Sequence, residues 1–176
     1  PKDSLDFIQS LKLNKDASII DIGGGDSFLV DFLLADGYTN ISVLDISSKA
    51  LERAKDRLGI NATKVSWIVS NIIDFKPEQN YDVWHDRAAF HFLTKENDIR
   101  TYVSITEKHV TKNLIIGTFS NDGPLKCSGL EITQYSRNKM QETFNSKFEL
   151  VKSLIKNHQT PFDTIQNFIF CSFKKR

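Results

Sequence analysis

The residues with the clearest chemical potential lie in a glycine-rich turn. The apolar run Ala17–Ile22 ends at three consecutive glycines, Gly23, Gly24 and Gly25. Glycines at a strand-to-helix turn let the backbone bend sharply and approach a ligand, because no Cβ stands in the way. Ligands of open α/β sheets collect at the carboxyl ends of the strands, where such a turn lies. The segment therefore predicts a ligand-binding turn, and a tight turn without a ligand is the alternative.

Two carboxylates accompany this turn. Asp21 stands directly before it, and Asp45 ends the next apolar run. An acidic side chain at the end of a second strand can accept hydrogen bonds from a ribose diol, each worth about 1.5–3 kcal/mol because the acceptor is charged. The alternative is that Asp45 only caps the helix that follows.

Dinucleotide-binding domains share these features, but their glycine fingerprint ends in a small residue, G-x-G-x-x-G or A. Here Phe28 occupies that last position. This bulky side chain, with Asp21 and Asp26 on either side of the glycines, disfavours an anionic pyrophosphate. A zwitterionic amino acid that carries a sulfonium suits acidic surroundings better, so an NAD-dependent oxidoreductase is the weaker interpretation.

Three ionisable residues, His85, Asp86 and Arg87, end a later apolar run. At the carboxyl end of a strand they would lie at the predicted crevice, where ionisable groups are candidates for catalysis. Strand alternation sends His85 and Asp86 to opposite faces of the sheet, and either could act as a general base. The alternative is an ion pair between Asp86 and Arg87, with His85 packed below the site. His91, in the next turn, is interpreted as a core or helix-start residue in preference to a catalytic one.

The elements that would position these residues are apolar runs that alternate with helical patterns. Predicted strands cover Ala17–Ile22, Ile41–Leu44, Val65–Val69, Tyr81–Asp86 and Leu114–Phe119. Predicted helices contain Phe28–Leu33 (closed by Gly37), Ser47–Leu58, Ile99–Val110 and Tyr135–Thr143. In the first helix Phe28 is expected to pair with Phe32 and Leu29 with Leu33, and Ser47 is expected to be the N-cap of the second. Such alternation predicts a mostly parallel sheet with helices on both faces.

The last two apolar runs, Phe148–Ile155 and Ile165–Phe173, have no helix-sized segment between them. They predict a C-terminal antiparallel hairpin joined through His158–Pro161. The predicted fold class is therefore α/β, a seven-stranded mostly parallel sheet in a single domain that covers residues 1–176.

Composition limits the partners. Lys and Arg number 23 against 22 Asp and Glu, for a formal charge of +1, which gives no electrostatic reason to expect nucleic acid or an anionic membrane. No apolar run approaches the roughly 20 residues that span a bilayer. Cys127 and Cys171 have no metal-ligand spacing and predict reduced thiols. We expect a cytoplasmic monomer or weak dimer without a metal.

Several segments together resemble the class I S-adenosylmethionine-dependent methyltransferases. Ile19–Gly25 looks like their motif I, and Val43–Ser47 resembles the acidic strand end that follows it. Ser70–Phe75 falls where that family places residues that flank the adenine, and Tyr81–Arg87 with Phe90–Leu93 is similar to its fourth motif. The resemblance covers nearly the whole chain, including the terminal hairpin. It implies a Rossmann-like fold and methyl transfer from S-adenosylmethionine, with S-adenosylhomocysteine as product.

A narrower resemblance concerns Trp84–Leu93, Cys127–Leu130 and His158–Pro161, which are similar to a bacterial branch of small methyltransferases.

The family resemblance also implies a cofactor site, made by Asp21, Gly23, Gly24, Gly25, Asp45, Ile46, Asn71, Ile72 and Asp86. In it Gly23 and Gly25 would pack against the methionine part, and Asp45 would hold the ribose. Asn71 would face the adenine amino group, with Ile72 against the ring. Many relatives have Asp where Asn71 stands, but an amide oxygen can accept the same hydrogen bond.

The acceptor of the methyl group is predicted to be a small molecule. No Asn-Pro-Pro-Tyr or Asp-Pro-Pro-Tyr run, the motif of amino-methylating DNA enzymes, follows the fourth strand, because Arg87–Phe90 stands there. No added domain or basic stripe could hold a polymer. Contacts with the acceptor are expected from the loop Asp122–Leu130. The alternatives are a protein methyltransferase that acts on lysine and a non-catalytic domain that binds S-adenosylmethionine.

The chain begins with Pro1, and a longer natural chain is expected to add an N-terminal lid over the pocket. Within the present chain, Ser4–Leu11 predicts a short amphipathic helix. Leu5, Ile8 and Leu11 are expected to face the sheet.

Overall fold

A computed structural model describes residues 1–87, 89–159 and 165–176. Its helices are α1 (Lys2–Ser10), α2 (Leu29–Ala35), α3 (Ser48–Leu58), α4 (Glu96–His109) and α5 (Arg137–Phe144). Its strands are β1 (Ser18–Ile22), β2 (Asn40–Asp45), β3 (Val65–Val69), β4 (Tyr81–Arg87), β5 (Val110–Phe119), β6 (Lys126–Cys127), β7 (Leu130–Glu131), β8 (Phe148–Gln159) and β9 (Ile165–Lys175).

The large sheet has seven strands in the order β3-β2-β1-β4-β5-β9-β8. Strands β1 to β5 run parallel, and β9 runs antiparallel to both β5 and β8. This arrangement confirms the predicted Rossmann-like α/β sheet with its C-terminal hairpin. The order reverses between β1 and β4, and this switch point opens a crevice at the carboxyl ends of the strands. The predicted connection His158–Pro161 includes residues outside the described part of the chain.

Side chains of β1 and β4 alternate between two apolar layers. Ile20, Ile22 and Trp84 belong to the layer that packs under α4 and α5. Ile19 and Val83 belong to the opposite layer, under α1 and α2. The same alternation separates the polar residues at the strand ends, because Ile22 and Asp86 share one face while Asp21 and His85 share the other.

The helix boundaries follow local signals. The Ser47 hydroxyl accepts a hydrogen bond from the Ala50 N–H at 3.2 Å, which confirms it as the N-cap of α3. Gly59 ends this helix with a φ of 56°, and Gly37 follows α2 with a φ of 87°. Both glycines have a positive φ, which glycine adopts more readily than other residues because it has no Cβ.

Two helical faces differ from the predicted ones. In α2 the predicted pair Leu29 and Leu33 is buried, together with Val30, whereas the predicted pair Phe28 and Phe32 is 53% and 48% exposed. In α1 the buried apolar residues are Phe7 and Ile8, and the predicted Leu5 and Leu11 are only partly buried. Phe7 is buried because its ring stacks on Phe170 of β9, with the centroids 6.0 Å apart.

Two strand assignments were also incomplete. β5 begins at Val110 and not at Leu114, because α4 passes directly into the strand. The loop Asp122–Leu130, with the residue that follows it, contains the short antiparallel pair of β6 and β7, in which Cys127 lies opposite Leu130. Among the described residues, no helix is both long enough and apolar enough to cross a membrane.

Gly117 tests the packing between β5 and β9. A Cβ at this position would lie 2.5 Å from the Phe170 ring, so an added methyl group would overpack the sheet face. We expect Gly117→Ala to lower the free energy of unfolding by about 1–3 kcal/mol, measured by urea denaturation. Ser66→Ala, at an exposed position of β3, is the control and should change it by less than about 0.5 kcal/mol. Equal stability of the two variants would show that Phe170 moves aside without cost.

Candidate active site

The glycine turn is attached to the end of β2 by backbone hydrogen bonds. The Gly23 N–H donates to the Leu44 carbonyl at 2.7 Å, and the Gly25 N–H donates to Asp45 Oδ2 at 3.0 Å. The other carboxylate oxygen of Asp45 accepts the Ser47 N–H at 2.8 Å. Asp45 therefore fixes the turn and the start of α3 as well as standing at the strand end. A carboxylate has about four acceptor positions, so it can still bind a diol.

The glycines serve different purposes in this turn. A Cβ on Gly24 would lie 2.4 Å from Asp21 Oδ2, and one on Gly25 would lie 2.6 Å from the Ala50 Cβ. These two glycines are buried and let Asp21 and α3 approach the turn. Gly23 has a φ of 69°, a conformation that favours glycine, and it borders two cavities.

The larger cavity, called here the main cavity, has a volume of about 760 Å³ and lies at the carboxyl ends of β1, β2 and β3. This volume is within the range of small-molecule sites. Five of the nine residues expected to bind a cofactor line it: Gly23, Asp45, Ile46, Asn71 and Ile72. Gly24 and Gly25 lie behind the turn, Asp21 borders the second cavity, and Asp86 is buried below the site.

The opposite wall of the main cavity comes from segments that sequence reasoning did not assign to the cofactor. Ala89, Phe92, Leu93 and Thr94 follow β4, and Leu130 with Glu131 come from the short hairpin. The hairpin overlaps the loop Asp122–Leu130, which was predicted to contact the acceptor. The available signal in the sequence was an apolar residue, Leu130, in a largely polar loop, and the structure leaves this side chain 61% exposed.

The charge of the main cavity is negative. Asp45 and Glu131 are the charged side chains among the described residues that line it. A cavity with acidic walls attracts a cation and repels an anionic pyrophosphate, so its electrostatics favour a sulfonium over a dinucleotide.

Asp86 lies directly below this wall and is fully buried. Its Oδ2 accepts the Tyr102 hydroxyl at 2.7 Å, and its Oδ1 accepts the Ala89 and Phe90 N–H groups, each at 3.0 Å. The Trp84 indole donates in turn to the Tyr102 oxygen at 3.0 Å. Burial raises the pKa of Asp86 to about 6, although these hydrogen bonds oppose the shift. The structure thus gives Asp86 a place in holding the loop, away from the cavity surface and without the suggested ion pair to Arg87.

His85 and Arg87 lie at a second cavity of about 300 Å³, which Asp21 and Gly23 also border. His85 Nδ1 is 2.7 Å from Asp21 Oδ1, and both side chains are almost completely buried. The Arg87 guanidinium lies over the Phe168 ring, 5.7 Å from its centroid. The structure therefore separates the three predicted catalytic residues, with His85 and Arg87 at this cavity and Asp86 on the opposite face.

His91 is a core residue in this structure. Its ring is fully buried and stacks on Phe119 at 4.7 Å between centroids. Burial lowers the pKa of His91 to about 4, so the ring is neutral at pH 7. Within the described part of the chain, neither ring nitrogen has a hydrogen-bond partner, which agrees with the interpretation of His91 as a core residue.

Comparison with known proteins identifies the family. A family model described as a methyltransferase domain matches residues 20–113, more than half of the chain. The chain belongs to this methyltransferase family. The match begins in β1 and includes the glycine turn, Asp45 and all of β4, so the resemblance to class I methyltransferases is confirmed. The narrower resemblance to a bacterial branch stays a prediction.

The chain is also similar to a protein whose name states no activity. The UPF0146 protein MJ0688 of Methanocaldococcus jannaschii is 33% identical to this methyltransferase over 113 residues, which cover 64% of this chain and 74% of that protein.

Solved structures share the fold. The N-methyltransferase NodS of Bradyrhizobium japonicum is 16% identical, with a TM-score of 0.77 over 99% of this chain and 94% of that chain. The 1,6-didemethyltoxoflavin-N1-methyltransferase of Burkholderia thailandensis is also 16% identical, with a TM-score of 0.75 over 98% and 76%. The magnesium protoporphyrin IX methyltransferase of Synechocystis is 15% identical, with a TM-score of 0.73 over 99% and 77%.

S-adenosylmethionine is the cofactor of this family, and the main cavity fits it. Its acidic walls suit the sulfonium, and Asp45 keeps free acceptor positions. Ile46 and Ile72 offer apolar surface for an adenine ring. Asn71 Oδ1 already accepts the Ile73 N–H at 3.3 Å, but a carbonyl oxygen has a second lone pair for an exocyclic amine.

The buried groups predict opposite pH dependences of stability. His91 has a pKa of about 4 in the folded protein against an ordinary histidine pKa of 6.5, so only the unfolded state binds its proton between these limits. Its contribution to stability is complete above pH 6.5 and falls by up to about 3 kcal/mol as the pH drops to 4. The contribution of Asp86 changes in the opposite direction, because its pKa of about 6 in the folded protein exceeds the ordinary aspartate pKa of 3.8.

Urea denaturation of the wild type, His91→Phe and Asp86→Asn from pH 4 to 7 measures both effects. The stability of the wild type relative to His91→Phe should increase with pH across this range. Its stability relative to Asp86→Asn should decrease between pH 4 and 6. Parallel curves for all three proteins would contradict the burial of both ionisable groups.

Proposed function

We propose that this methyltransferase transfers the methyl group of S-adenosylmethionine to a small-molecule acceptor. The observation that carries the proposal is the main cavity, an acidic pocket bounded by the ends of β1, β2 and β3 and by residues 89–94 and 130–131. It meets the second cavity at Gly23. Two pockets of small-molecule size in contact suit a cofactor and a small acceptor better than an extended polymer.

The proposed cofactor contacts follow from the lining of the main cavity. Asp45 accepts hydrogen bonds from the ribose diol, and the turn at Gly23 lies against the methionine part. Ile46 and Ile72 cover the two sides of the adenine, and Asn71 accepts its amino group. Asp86 contributes indirectly, because it fixes the backbone of the loop that forms the opposite wall.

The chemical task of the protein is mainly alignment. When bound, S-adenosylmethionine supplies a methyl group activated by a positively charged sulfur. Side chains that hold an acceptor in line with this methyl group convert a bimolecular reaction into an effectively unimolecular one. A general base is needed only where the acceptor nucleophile carries a proton.

The solved relatives support a small acceptor. The names of two of them state that they methylate 1,6-didemethyltoxoflavin and magnesium protoporphyrin IX, and both are small molecules. At identities near 15% the likeness of these two proteins to this chain shows the fold but not the residues of the pocket, so neither acceptor is proposed for it.

Asp45 provides the first test of the cofactor site. We expect Asp45→Asn to weaken binding of S-adenosylhomocysteine by about 10- to 150-fold, because charge-assisted hydrogen bonds are worth about 1.5–3 kcal/mol. Isothermal titration calorimetry measures the change, and NAD should not bind to either protein. Binding of NAD without binding of S-adenosylhomocysteine would overturn the proposed cofactor contacts.

Two nucleosides distinguish a loss of ribose binding from a distortion of the glycine turn. The distinction is needed because Asp45 also accepts the Gly25 N–H. Adenosine should lose affinity for Asp45→Asn, whereas 2′,3′-dideoxyadenosine, which lacks the diol, should bind both proteins equally. Equal losses for the two nucleosides would show that Asp45 acts through the shape of the turn.

A further inference from the structure

The second cavity contains a histidine–carboxylate pair that the cofactor contacts do not use. His85 Nδ1 lies 2.7 Å from Asp21 Oδ1, and the two side chains are 2% and 3% exposed. Because an ionised carboxylate only accepts hydrogen bonds, Nδ1 is the donor of this pair, and in the neutral ring Nε2 then keeps its lone pair. In the described residues, neither His85 Nε2 nor Asp21 Oδ2 has a hydrogen-bond partner. A carboxylate that orients a histidine with a free Nε2 is an arrangement suited to a general base.

A cationic side chain lies on the other side of the same cavity. Arg87 leaves β4 on the face that also carries His85, and its guanidinium lies over Phe168 of β9. No described carboxylate forms an ion pair with it. The planar donor fork of arginine matches a carboxylate in geometry and charge.

The remaining charge at the cavity is already paired. Asp26 accepts two hydrogen bonds from Arg53, at 3.0 and 2.8 Å. The charged side chains that border the cavity are therefore a compensated Asp26, the Asp21–His85 pair and Arg87. Among the described lining residues, Arg87 provides the one arginine or lysine side chain, and it lacks a carboxylate partner.

The strand order indicates which molecule Arg87 holds. β9 lies two strands from β4, on the side away from β1 and β2. The main cavity begins at β1 and extends towards β2 and β3. Arg87 is thus directed towards β9, away from β2 and β3, while His85 is directed towards β1 through its contact with Asp21.

We propose that the second cavity is the acceptor pocket and that it takes a small carboxylate-bearing molecule whose nucleophile is a neutral N–H or O–H group. This inference rests on the proposed function. Arg87 binds the carboxylate of the acceptor, and Phe168 contacts its apolar part. His85 is the general base, and Asp21 is its positioning residue.

The step balances with these groups alone. The lone pair of the acceptor nitrogen or oxygen forms the new bond to the methyl carbon, and the electrons of the broken carbon–sulfur bond stay on sulfur in S-adenosylhomocysteine. The proton of the acceptor passes to His85 Nε2, and from there to water.

The probe for the test is 4-hydroxy-3-nitrobenzoate, which combines a carboxylate with a phenol whose ionisation is visible as a yellow colour. Titrations are made with wild-type protein saturated with S-adenosylhomocysteine, and the neutral 4-hydroxy-3-nitrobenzamide is the comparison ligand. Arg87→Gln should weaken binding of the carboxylate at least tenfold and leave the amide unaffected. Arg100→Gln, which changes an exposed arginine of α4, should change neither ligand.

His85 is tested by the colour of the bound probe. In the wild-type complex the phenol should ionise at a lower pH than in free solution, because Nε2 accepts its proton. His85→Gln should abolish this shift and keep the affinity for S-adenosylhomocysteine, which also shows that the variant is folded. Asp21→Asn should reduce the shift. A shift that persists in His85→Gln would overturn the role of this histidine as base.

A cofactor pair distinguishes the two possible sources of a carboxylate at Arg87. If Arg87→Gln weakens S-adenosylhomocysteine but not 5′-methylthioadenosine, which lacks the amino acid, Arg87 holds the methionine carboxylate and the acceptor proposal is wrong. The proposal is also wrong if the benzoate binds the wild type no better than the benzamide. Failure of S-adenosylhomocysteine to bind the wild type at all would instead overturn the proposed function.

Discussion

The buried carboxylate of Asp86 is the interaction on which the architecture of the site depends. It accepts hydrogen bonds from Tyr102 and from the N–H groups of Ala89 and Phe90. A charge without such partners would be very costly at complete burial, so the three donors and the carboxylate require one another. Together they fix the turn after β4, and this turn carries the wall of the main cavity opposite the glycines.

The other fixed point is Asp45, and it shows how one residue can serve folding and binding together. Its two oxygens hold Gly25 and Ser47 by their N–H groups. The turn is thereby preorganised before any ligand arrives, which reduces the entropy that binding would otherwise have to overcome. The interpretations of Asp45 as ribose ligand and as cap are therefore compatible.

Much of this site was predictable from sequence because its signals are local. The apolar runs locate β1, β2 and β4, and a carboxyl strand end follows from where a run stops. The burial of Asp86 was not predictable in this way, since it depends on Tyr102, which approaches only when α4 packs on the sheet. Glu131 was missed for a similar reason, because its segment reads as an irregular loop until β6 pairs with β7. Which side chains of α1 face the sheet depends on Phe170, near the other end of the chain. The pattern of the short helix alone therefore predicted Leu5, and not Phe7, as a residue that faces the sheet. The roles of the individual site residues stay predictions.

The alternation along β1 and β4 has a consequence for the evolution of such enzymes. Adjacent residues of one strand serve different faces, so Ile22 and Asp86 contribute to one layer while Asp21 and His85 contribute to the other. Substitutions of side chains on the second face can accumulate without altering the packing that shapes the main cavity. During evolution the residues that line one pocket can therefore change while those of the other pocket stay the same. Gly23 borders both pockets, so a substitution at this position affects both.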